Sequence, residues 1–366
     1  MRWSSLLLVA AIVFVSATAN GQVTHSDEKT PEMKKSAQTV DGKTMYEWMK
    51  DLKEGIKDPG VRVRAIHALQ FYGNDAREAV RDIIKALRDT DASVRVNAAI
   101  ALGLIGFDAK DLKDGISALT RLVSRETESQ GIVRFQAARA LGRLGTDSAP
   151  AIPALVNAIR DPTASEIRSA AAFALGSASF DTAKGPDPRA IHALLGDPAY
   201  RSGLHDVSHE VRMEALFSLI YLGPPVQGTD KAAEKRALEL LLHDKNKIIE
   251  IWARVAVMRL DKVSSQHLLP IAKLLKDTDM RVRVNAARAF AIMGQDAKSA
   301  IKDLVYALED KETSVVVWAC MALGEMRDAG QEALPKLEAL ADHQDPRVKQ
   351  AAAEAIGKIK AKVRSE

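Results

Sequence analysis

Nine alanines at a fixed place in a recurring segment constrain this chain more than any other feature of its sequence. Each segment starts with Val or Ile, and the alanine stands four residues after that start. The nine are Ala65, Ala98, Ala137, Ala171, Ala215, Ala253, Ala286, Ala319 and Ala352. Position 7 of the segment is a second alanine in all copies but one, and position 8 is always apolar. Positions 0, 4, 7 and 8 share one side of a helix, so each segment predicts a helix with a narrow packing face.

The spacing of the segments indicates the fold class. Successive starts lie 33 to 44 residues apart, a period typical of helical repeat arrays. A companion stretch with helical apolar spacing, such as Gln331 to Asp342, lies between one segment and the next. Only 5% of the residues are aromatic, which suits closely packed helices better than a β-sandwich or barrel. The prediction is an all-α fold, an α-solenoid superhelix of about nine helix pairs over residues 43–360.

The beginning of the chain has the pattern of an export signal. Arg2 precedes an apolar run from Leu6 to Val15, and Ala17-Thr18-Ala19 fits a small-x-small cleavage site. The run is short for a bilayer span, so we expect cleavage rather than anchoring. We therefore predict a signal peptide at 1–19, a flexible polar leader at 20–42 and a polar tail at 361–366, with a periplasmic or extracellular mature protein that has no membrane span.

Charge and cysteine content narrow the chemistry further. The net charge is +4, and basic and acidic residues are interspersed along the chain, so no nucleic-acid partner is expected. Cys320 is the only cysteine, which rules out an intramolecular disulfide. It directly follows one of the nine alanines, so we expect a packed thiol rather than a nucleophile.

Acidic residues precede several segments by three positions. Asp91 and Asp279 are examples, and each is followed four residues later by an arginine, Arg95 or Arg283. We expect each aspartate to cap its helix and to pair with that arginine.

The repeated D-x-x-V-R-x-x-A-x-x-A-L-G pattern, best preserved at 91–103 and 279–290, resembles the HEAT-repeat family. Within that family it is similar to the bacterial subtype often labelled phycobilisome-lyase-like. The resemblance implies stacked antiparallel helix pairs, with the second helix of each pair lining a concave side. It says little about activity, because such arrays serve many roles.

Motifs that suggest chemistry are incomplete. Gly42-Lys43-Thr44 looks like the end of a phosphate-binding loop, but the upstream glycine that such a loop needs is Ala37 here. His205 and His209 have a metal-ligand spacing, yet His205 is expected to lie before the helix. The pair His209-Glu210 resembles the His-Glu pairs that the HEAT-type di-iron enzyme deoxyhypusine hydroxylase carries in several repeats. Only one such pair occurs, so the second half of an iron site is missing.

Positions 3, 6 and 10 of the repeated segment lie opposite its packed side and would face the concave groove. They carry aromatic and arginine side chains, which dominate protein interfaces. The candidate partner-binding residues are Arg139, Arg143, Phe173, Phe217, Tyr221, Trp252, Arg259, Arg288 and Trp318. The alternative is that these aromatic residues fill gaps between repeats.

Together these observations predict an exported scaffold that binds a protein or peptide in its groove. No catalytic constellation is found, so we expect a non-enzymatic protein without cofactor or metal. The alternative is a lyase-like or metal-dependent HEAT-repeat enzyme or its accessory subunit. A third possibility is a structural spacer of the cell envelope.

Overall fold

The computed structural model describes most of the predicted repeat array. The described residues are 39–54, 58–180, 185–197, 199, 201–223, 231–261 and 265–361. The predicted signal peptide and most of the predicted leader and tail lie outside them. The chain divides into two compact units, an N-terminal unit within Thr24–Asp230 and a C-terminal unit within Lys231–Glu366.

The described part of the N-terminal unit holds five helix pairs. The first helices are α1 (Met45–Lys53), α3 (Val80–Ala86), α5 (Ala109–Val123), α7 (Ile152–Ala158) and α9 (Pro188–Leu195). The second helices, which contain the repeated segment, are α2 (Pro59–Phe71), α4 (Ala92–Ile105), α6 (Gly131–Leu144), α8 (Ser165–Ala178) and α10 (His209–Leu222). Short 3-10 stretches precede α3, α7 and α10, at Gly73–Ala79, Gly145–Ala151 and Gly203–His205.

The described part of the C-terminal unit holds four further pairs. The first helices are α11 (Lys231–Leu240), α13 (Ser265–Leu274), α15 (Ile301–Ala307) and α17 (Leu334–Leu340). The second helices are α12 (Lys247–Asp261), α14 (Met280–Met293), α16 (Thr313–Glu325) and α18 (Pro346–Lys360). The 3-10 stretches are Leu241–His243, Gly294–Ala300 and Arg327–Ala333. In each unit a second helix packs on its own first helix and on the second helices of adjoining pairs, as the α-solenoid prediction required.

The aligned alanines form the core of both units. All nine are fully buried, and so is the apolar residue at the start of most segments, for example Val94 and Val315. A larger side chain at the alanine positions would push adjacent helices apart, because protein interiors are close-packed. Cys320 is also buried, as predicted, and burial raises the pKa of its thiol to about 12.

Buried ion pairs link consecutive repeats. The Arg168 guanidinium donates two hydrogen bonds, of 2.6 and 2.9 Å, to the carboxylate of Asp206, whose side chain is fully buried. The same two-bond contact with an acidic residue of the next repeat is made by Arg62 with Asp89, Arg95 with Glu128, and Arg283 with Asp310. Such pairs specify how one repeat is placed on the next.

These contacts confirm one half of a prediction and correct the other. Asp91 caps its helix by accepting from the backbone N–H groups of Ser93 and Val94. The predicted ion pair of Asp91 with Arg95 is wrong, because Arg95 reaches Glu128 of the next repeat instead. Arg283 likewise pairs with Asp310 rather than with its capping aspartate, Asp279.

A small hairpin precedes the first helix pair. Its strands are β1 (Thr39–Val40) and β2 (Lys43–Thr44), so the last residues of the predicted flexible leader have a defined structure. The Trp48 indole N–H donates to the Val40 carbonyl at 2.9 Å and fastens the hairpin to α1. Thr44 caps α1, and the Lys43 ammonium pairs with Asp51 at 2.5 Å, so the Gly-Lys-Thr stretch has a structural role.

The interruption of the repeat at 181–208 supplies the first helix of the fifth pair, α9. The Asp187 side chain caps α9 by accepting from the backbone N–H of Arg189 at 2.8 Å. Within the described residues of the whole chain, none of the helices has both the length and the apolar character that crossing a bilayer requires.

Candidate functional site

The surface that remains after the core is assigned is the row of side chains at positions 3, 6 and 10 of the second helices. We call this row the inner face of a unit. On the N-terminal unit it consists of Arg64, His67, Phe71, Asn97, Ile100, Leu104, Gln136, Arg139, Arg143, Ala170, Phe173, Ser177, Glu214, Phe217 and Tyr221. All of these except the buried Ala170 are exposed or half-buried. The N-terminal inner face is therefore an accessible surface.

Arg139 and Arg143 lie one turn apart on α6, and both side chains are exposed. The Arg139 guanidinium lies 5.6 Å from the ring centroid of Phe135, within the range of a cation–π contact. The Arg143 stem passes close to Gly103 on the preceding second helix. Desolvation and, second, the neighbouring charge of Arg139 lower the pKa of Arg143. In the described part of the chain, neither guanidinium forms an ion pair or a hydrogen bond.

Phe173 on α8 adds an aromatic surface beside these arginines. Its side chain is 37% exposed, and one edge of the ring rests on Gly142, next to Arg143. A Cβ at position 142 would lie 2.5 Å from two ring carbons, so a larger residue there would displace the ring. The backbone of α6 therefore holds the Phe173 ring in place on the surface.

Glu214 on α10 is the carboxyl group of the N-terminal inner face. Burial raises its pKa to about 7, and the nearby Arg139 opposes that rise. It forms no hydrogen bond or ion pair among the described residues. A side chain that keeps partial exposure and is still strongly desolvated lies in a recess of the surface. A titratable group with such a shifted pKa is a marker of functional sites.

The two ends of the N-terminal inner face differ in character. At one end Phe71 and Leu104, 64% and 54% exposed, present apolar surface, and His67 packs edge-on against Phe71 at 5.2 Å between ring centroids. At the other end Tyr221 stacks on Phe180 at 4.7 Å between centroids. Tyr221 is therefore partly engaged in packing, and burial raises the pKa of its hydroxyl.

On the C-terminal unit several of the same positions are buried on two neighbouring second helices, α12 and α14. Trp252 is only 1% exposed, and its indole N–H donates to Asn285 Oδ1 at 2.9 Å. The Arg288 guanidinium lies 5.5 Å from the ring centroids of both Trp252 and Trp318. Arg288 is itself 9% exposed, and burial lowers its pKa, as it does for the half-buried Arg259.

This arrangement corrects part of the predicted site. Trp252 and Arg288 lie in the packed interior and not on an open groove, because Arg288 from the next repeat occupies the space between the two indoles. The remaining predicted residues separate into two sets. Arg139, Arg143, Phe173, Phe217 and Tyr221 belong to the N-terminal inner face, whereas Arg259 and Trp318 belong to the C-terminal unit. Phe71, Leu104 and Glu214 are not among the candidate partner-binding residues, although their repeat positions, 10, 10 and 3, indicate the inner face.

The histidines singled out by their spacing are not brought together with further ligands. His205 ends the 3-10 stretch before α10, and His209 begins α10 with its Nε2 atom 3.3 Å from Glu210 Oε1. Asp206, which lies between them in the sequence, forms an ion pair with Arg168. Within the described residues, no three His, Cys, Asp or Glu side chains are grouped so that they could hold a metal ion.

Comparison with known proteins places this architecture. A family model described as HEAT repeats matches residues 49–127, 82–176 and 268–357, together more than half of the chain. A deoxyhypusine hydroxylase of Candida albicans is 24% identical over 303 residues, covering 81% of this chain and 85% of that enzyme.

Two of the solved structures to which this chain is similar have enzymatic names. The complex of CpcE and CpcF of phycocyanin lyase from Nostoc has 20% identity and a TM-score of 0.47, covering 77% of this chain and 94% of that one. Human deoxyhypusine hydroxylase has 20% identity and a TM-score of 0.32, covering 87% of this chain and 96% of that one.

These findings contradict one prediction from the sequence. We expected a non-enzymatic chain, yet a relative that aligns with four-fifths of it is named as an enzyme. The absence of a familiar catalytic motif was therefore not a sufficient reason to exclude an enzymatic role.

Proposed function

This chain belongs to the HEAT-repeat family, and from that premise we propose that it binds a peptide segment of another protein along its N-terminal inner face. Second helices in such arrays present one side chain row that the core does not use, and a row repeated over several pairs matches the length of a peptide. Residues of this row on the second helices α2, α4, α6, α8 and α10 would contact the peptide.

The proposal rests on exposed large apolar side chains at inner-face positions of the repeat, position 10 for Phe71 and Leu104 and position 6 for Phe173. Phe71, Leu104 and Phe173 lie on three second helices of one unit. Because all three side chains are exposed, the core does not require an apolar residue at these positions. Exposed apolar groups that recur along one face, interspersed with arginine, are characteristic of interaction surfaces.

Selection from a random peptide library on the purified chain tests the proposal. The affinity of a selected peptide is then measured for the variant Phe71→Ser/Leu104→Ser/Phe173→Ser and for the control Leu269→Ser/Tyr306→Ser. The control removes exposed apolar side chains of α13 and α15, which are first helices. We expect at least a tenfold loss, about 1.4 kcal/mol, for the first variant only. Equal affinity of both variants would refute the N-terminal inner face as the binding surface.

We also propose that the protein works outside the cytoplasm, on the strength of Arg2, the apolar run and the Ala17-Thr18-Ala19 site. N-terminal sequencing of the mature protein from its native host should begin at or near Asn20. A mature chain that retains Met1 or Arg2 would contradict this.

A second candidate is a catalytic role, favoured by the relative named deoxyhypusine hydroxylase. On the N-terminal inner face, Glu214 has the protonation behaviour suited to proton transfer at neutral pH, because its pKa is about 7. An assay with a deoxyhypusine-containing protein, comparing the natural chain with Glu214→Gln, would test it. Turnover by the natural chain that Glu214→Gln abolishes would support catalysis on this face. No turnover would remove hydroxylation of that substrate as a candidate.

A further inference from the structure

We propose that Arg139 and Arg143 form an anion-binding subsite that receives two carboxylates of an acidic segment in the bound peptide. This inference rests on the proposed peptide-binding function and specifies the chemistry of the partner. It is carried by the pairing state of the arginines, by the charge of the surrounding surface and by the position of Phe173.

Other arginines of the N-terminal unit form complete hydrogen-bonded ion pairs and serve as a comparison for Arg139 and Arg143. Arg62, Arg95 and Arg168 each donate two hydrogen bonds to one carboxylate of the next repeat. Arg139 and Arg143 have no such partner in the described part of the chain and are close enough for one charge to affect the other. The nearby Glu214 interacts with Arg139 through its charge but forms no hydrogen bond with it, so the two neighbouring guanidinium groups still repel each other. A bound carboxylate would relieve that repulsion.

The surrounding surface favours an acidic partner. The N-terminal inner face contains three arginines, Arg64, Arg139 and Arg143, and a single carboxyl group, Glu214. A nucleic acid would require a continuous row of basic residues to contact its phosphates, and many residues of the N-terminal inner face are apolar. The charge of this face is therefore complementary to an acidic peptide and not to a nucleic acid.

The geometry also restricts the spacing of the acids. Residues four apart on a helix rise by about 6 Å, and alternate residues of an extended peptide are about 6.6 Å apart. Two acidic residues separated by one position would therefore match the two arginines. Phe173, fixed against Gly142 beside Arg143, offers a ring on which an aromatic or aliphatic neighbour of those acids would pack.

Peptide-library selection on three forms of the full chain tests this subsite. The forms are the natural chain, Arg139→Gln/Arg143→Gln, and the control Arg121→Gln/Arg125→Gln, which removes the same charge from exposed positions at the end of α5. Thermal unfolding checks that both variants are folded. We expect the natural chain and the control to select peptides with Asp or Glu at alternate positions, and the Arg139/Arg143 variant to select apolar peptides without that enrichment.

A single selected acidic peptide then gives the size of the effect by fluorescence anisotropy. Its Kd should rise at least about tenfold for Arg139→Gln/Arg143→Gln and less than about twofold for the control. Selected peptides without acid enrichment, or enrichment unchanged in the Arg139/Arg143 variant, would overturn the subsite while leaving peptide binding intact. Failure of the natural chain to select any peptide would overturn the proposed function and this inference together.

Discussion

The two units use one repeat pattern, but α12 and α14 of the C-terminal unit bury inner-face side chains at positions that are accessible on the N-terminal unit. On the N-terminal unit, positions 3 and 6 carry Arg64, Gln136 and Arg139, which leave the surface accessible. On the C-terminal unit the corresponding positions include Trp252 and Arg288, which are buried against each other. The aligned alanines, five in the N-terminal unit and four in the C-terminal unit, are fully buried in both.

This difference separates folding information from functional information. The alanine register determines how helices pack, and it tolerates either outcome on the opposite side of the helix. The opposite side of the helix is buried where a side chain of the neighbouring repeat packs against it, and it stays accessible where no such side chain is present. The N-terminal inner face is accordingly the better candidate for binding a partner, and the C-terminal cluster is the better candidate for stability.

The largest expected effect comes from removing Trp252. Trp252→Ala leaves a cavity and an unsatisfied Asn285, so we expect a loss of about 3–5 kcal/mol in the free energy of unfolding. Phe173→Ala, a deletion from the exposed face, should cost about 1 kcal/mol or less. Denaturant unfolding of the full chain measures both. Equal losses would mean that the two inner faces do not differ as described.

A smaller effect, of opposite sign in two repeats, is expected from glycine. Gly142 and Gly357 occupy the same repeat position, yet a Cβ at Gly142 would strike the Phe173 ring, whereas one at Gly357 meets nothing within 4 Å. We expect Gly142→Ala to destabilise by about 1–3 kcal/mol and Gly357→Ala to stabilise by up to about 1 kcal/mol. Thermal unfolding decides the signs. If Gly142→Ala stabilised the chain as well, Phe173 would not be held against α6.

The smallest expected effect is a pH dependence from Glu214. Its pKa rises from an ordinary 4.5 to about 7 in the folded protein, so between these values the folded state holds a proton that the unfolded state has lost. Its contribution to stability is complete below pH 4.5 and is lost as the pH rises to about 7. Relative to Glu214→Gln, the natural chain should lose about 1–2 kcal/mol between pH 4.5 and 8. A constant difference across that range would contradict the burial of this carboxyl.

Much of the fold followed from local pattern, and the site only in part. The alanine register predicted the helix pairs, because a small residue that recurs at a fixed position indicates close packing of one helix on another. The interface composition at positions 3, 6 and 10 predicted Arg139, Arg143 and Phe173 as surface residues. It was wrong for Trp252 and Arg288, since their burial depends on a contact between side chains 36 residues apart, which a repeat position does not encode.

The partners of the ion pairs and the shifted pKa values could not be predicted from the sequence, because they also depend on contacts between repeats. Arg95 was expected to pair within its own repeat, and the structure directs it to Glu128 in the next one. The sequence gives no sign that Glu214 has a shifted pKa, because burial in the folded protein raises that pKa to about 7. Both properties arise from neighbouring repeats and not from the repeat itself.

Hydroxyl-radical footprinting of the full chain, with and without a library-selected peptide, shows which face the peptide covers. We expect peptide binding to protect Phe71, Leu104 and Phe173 on the N-terminal inner face and to leave Leu269 and Tyr306, on first helices of the C-terminal unit, unchanged. Protection confined to Leu269 and Tyr306, or no protection at Phe173 under saturating peptide, would contradict this expectation.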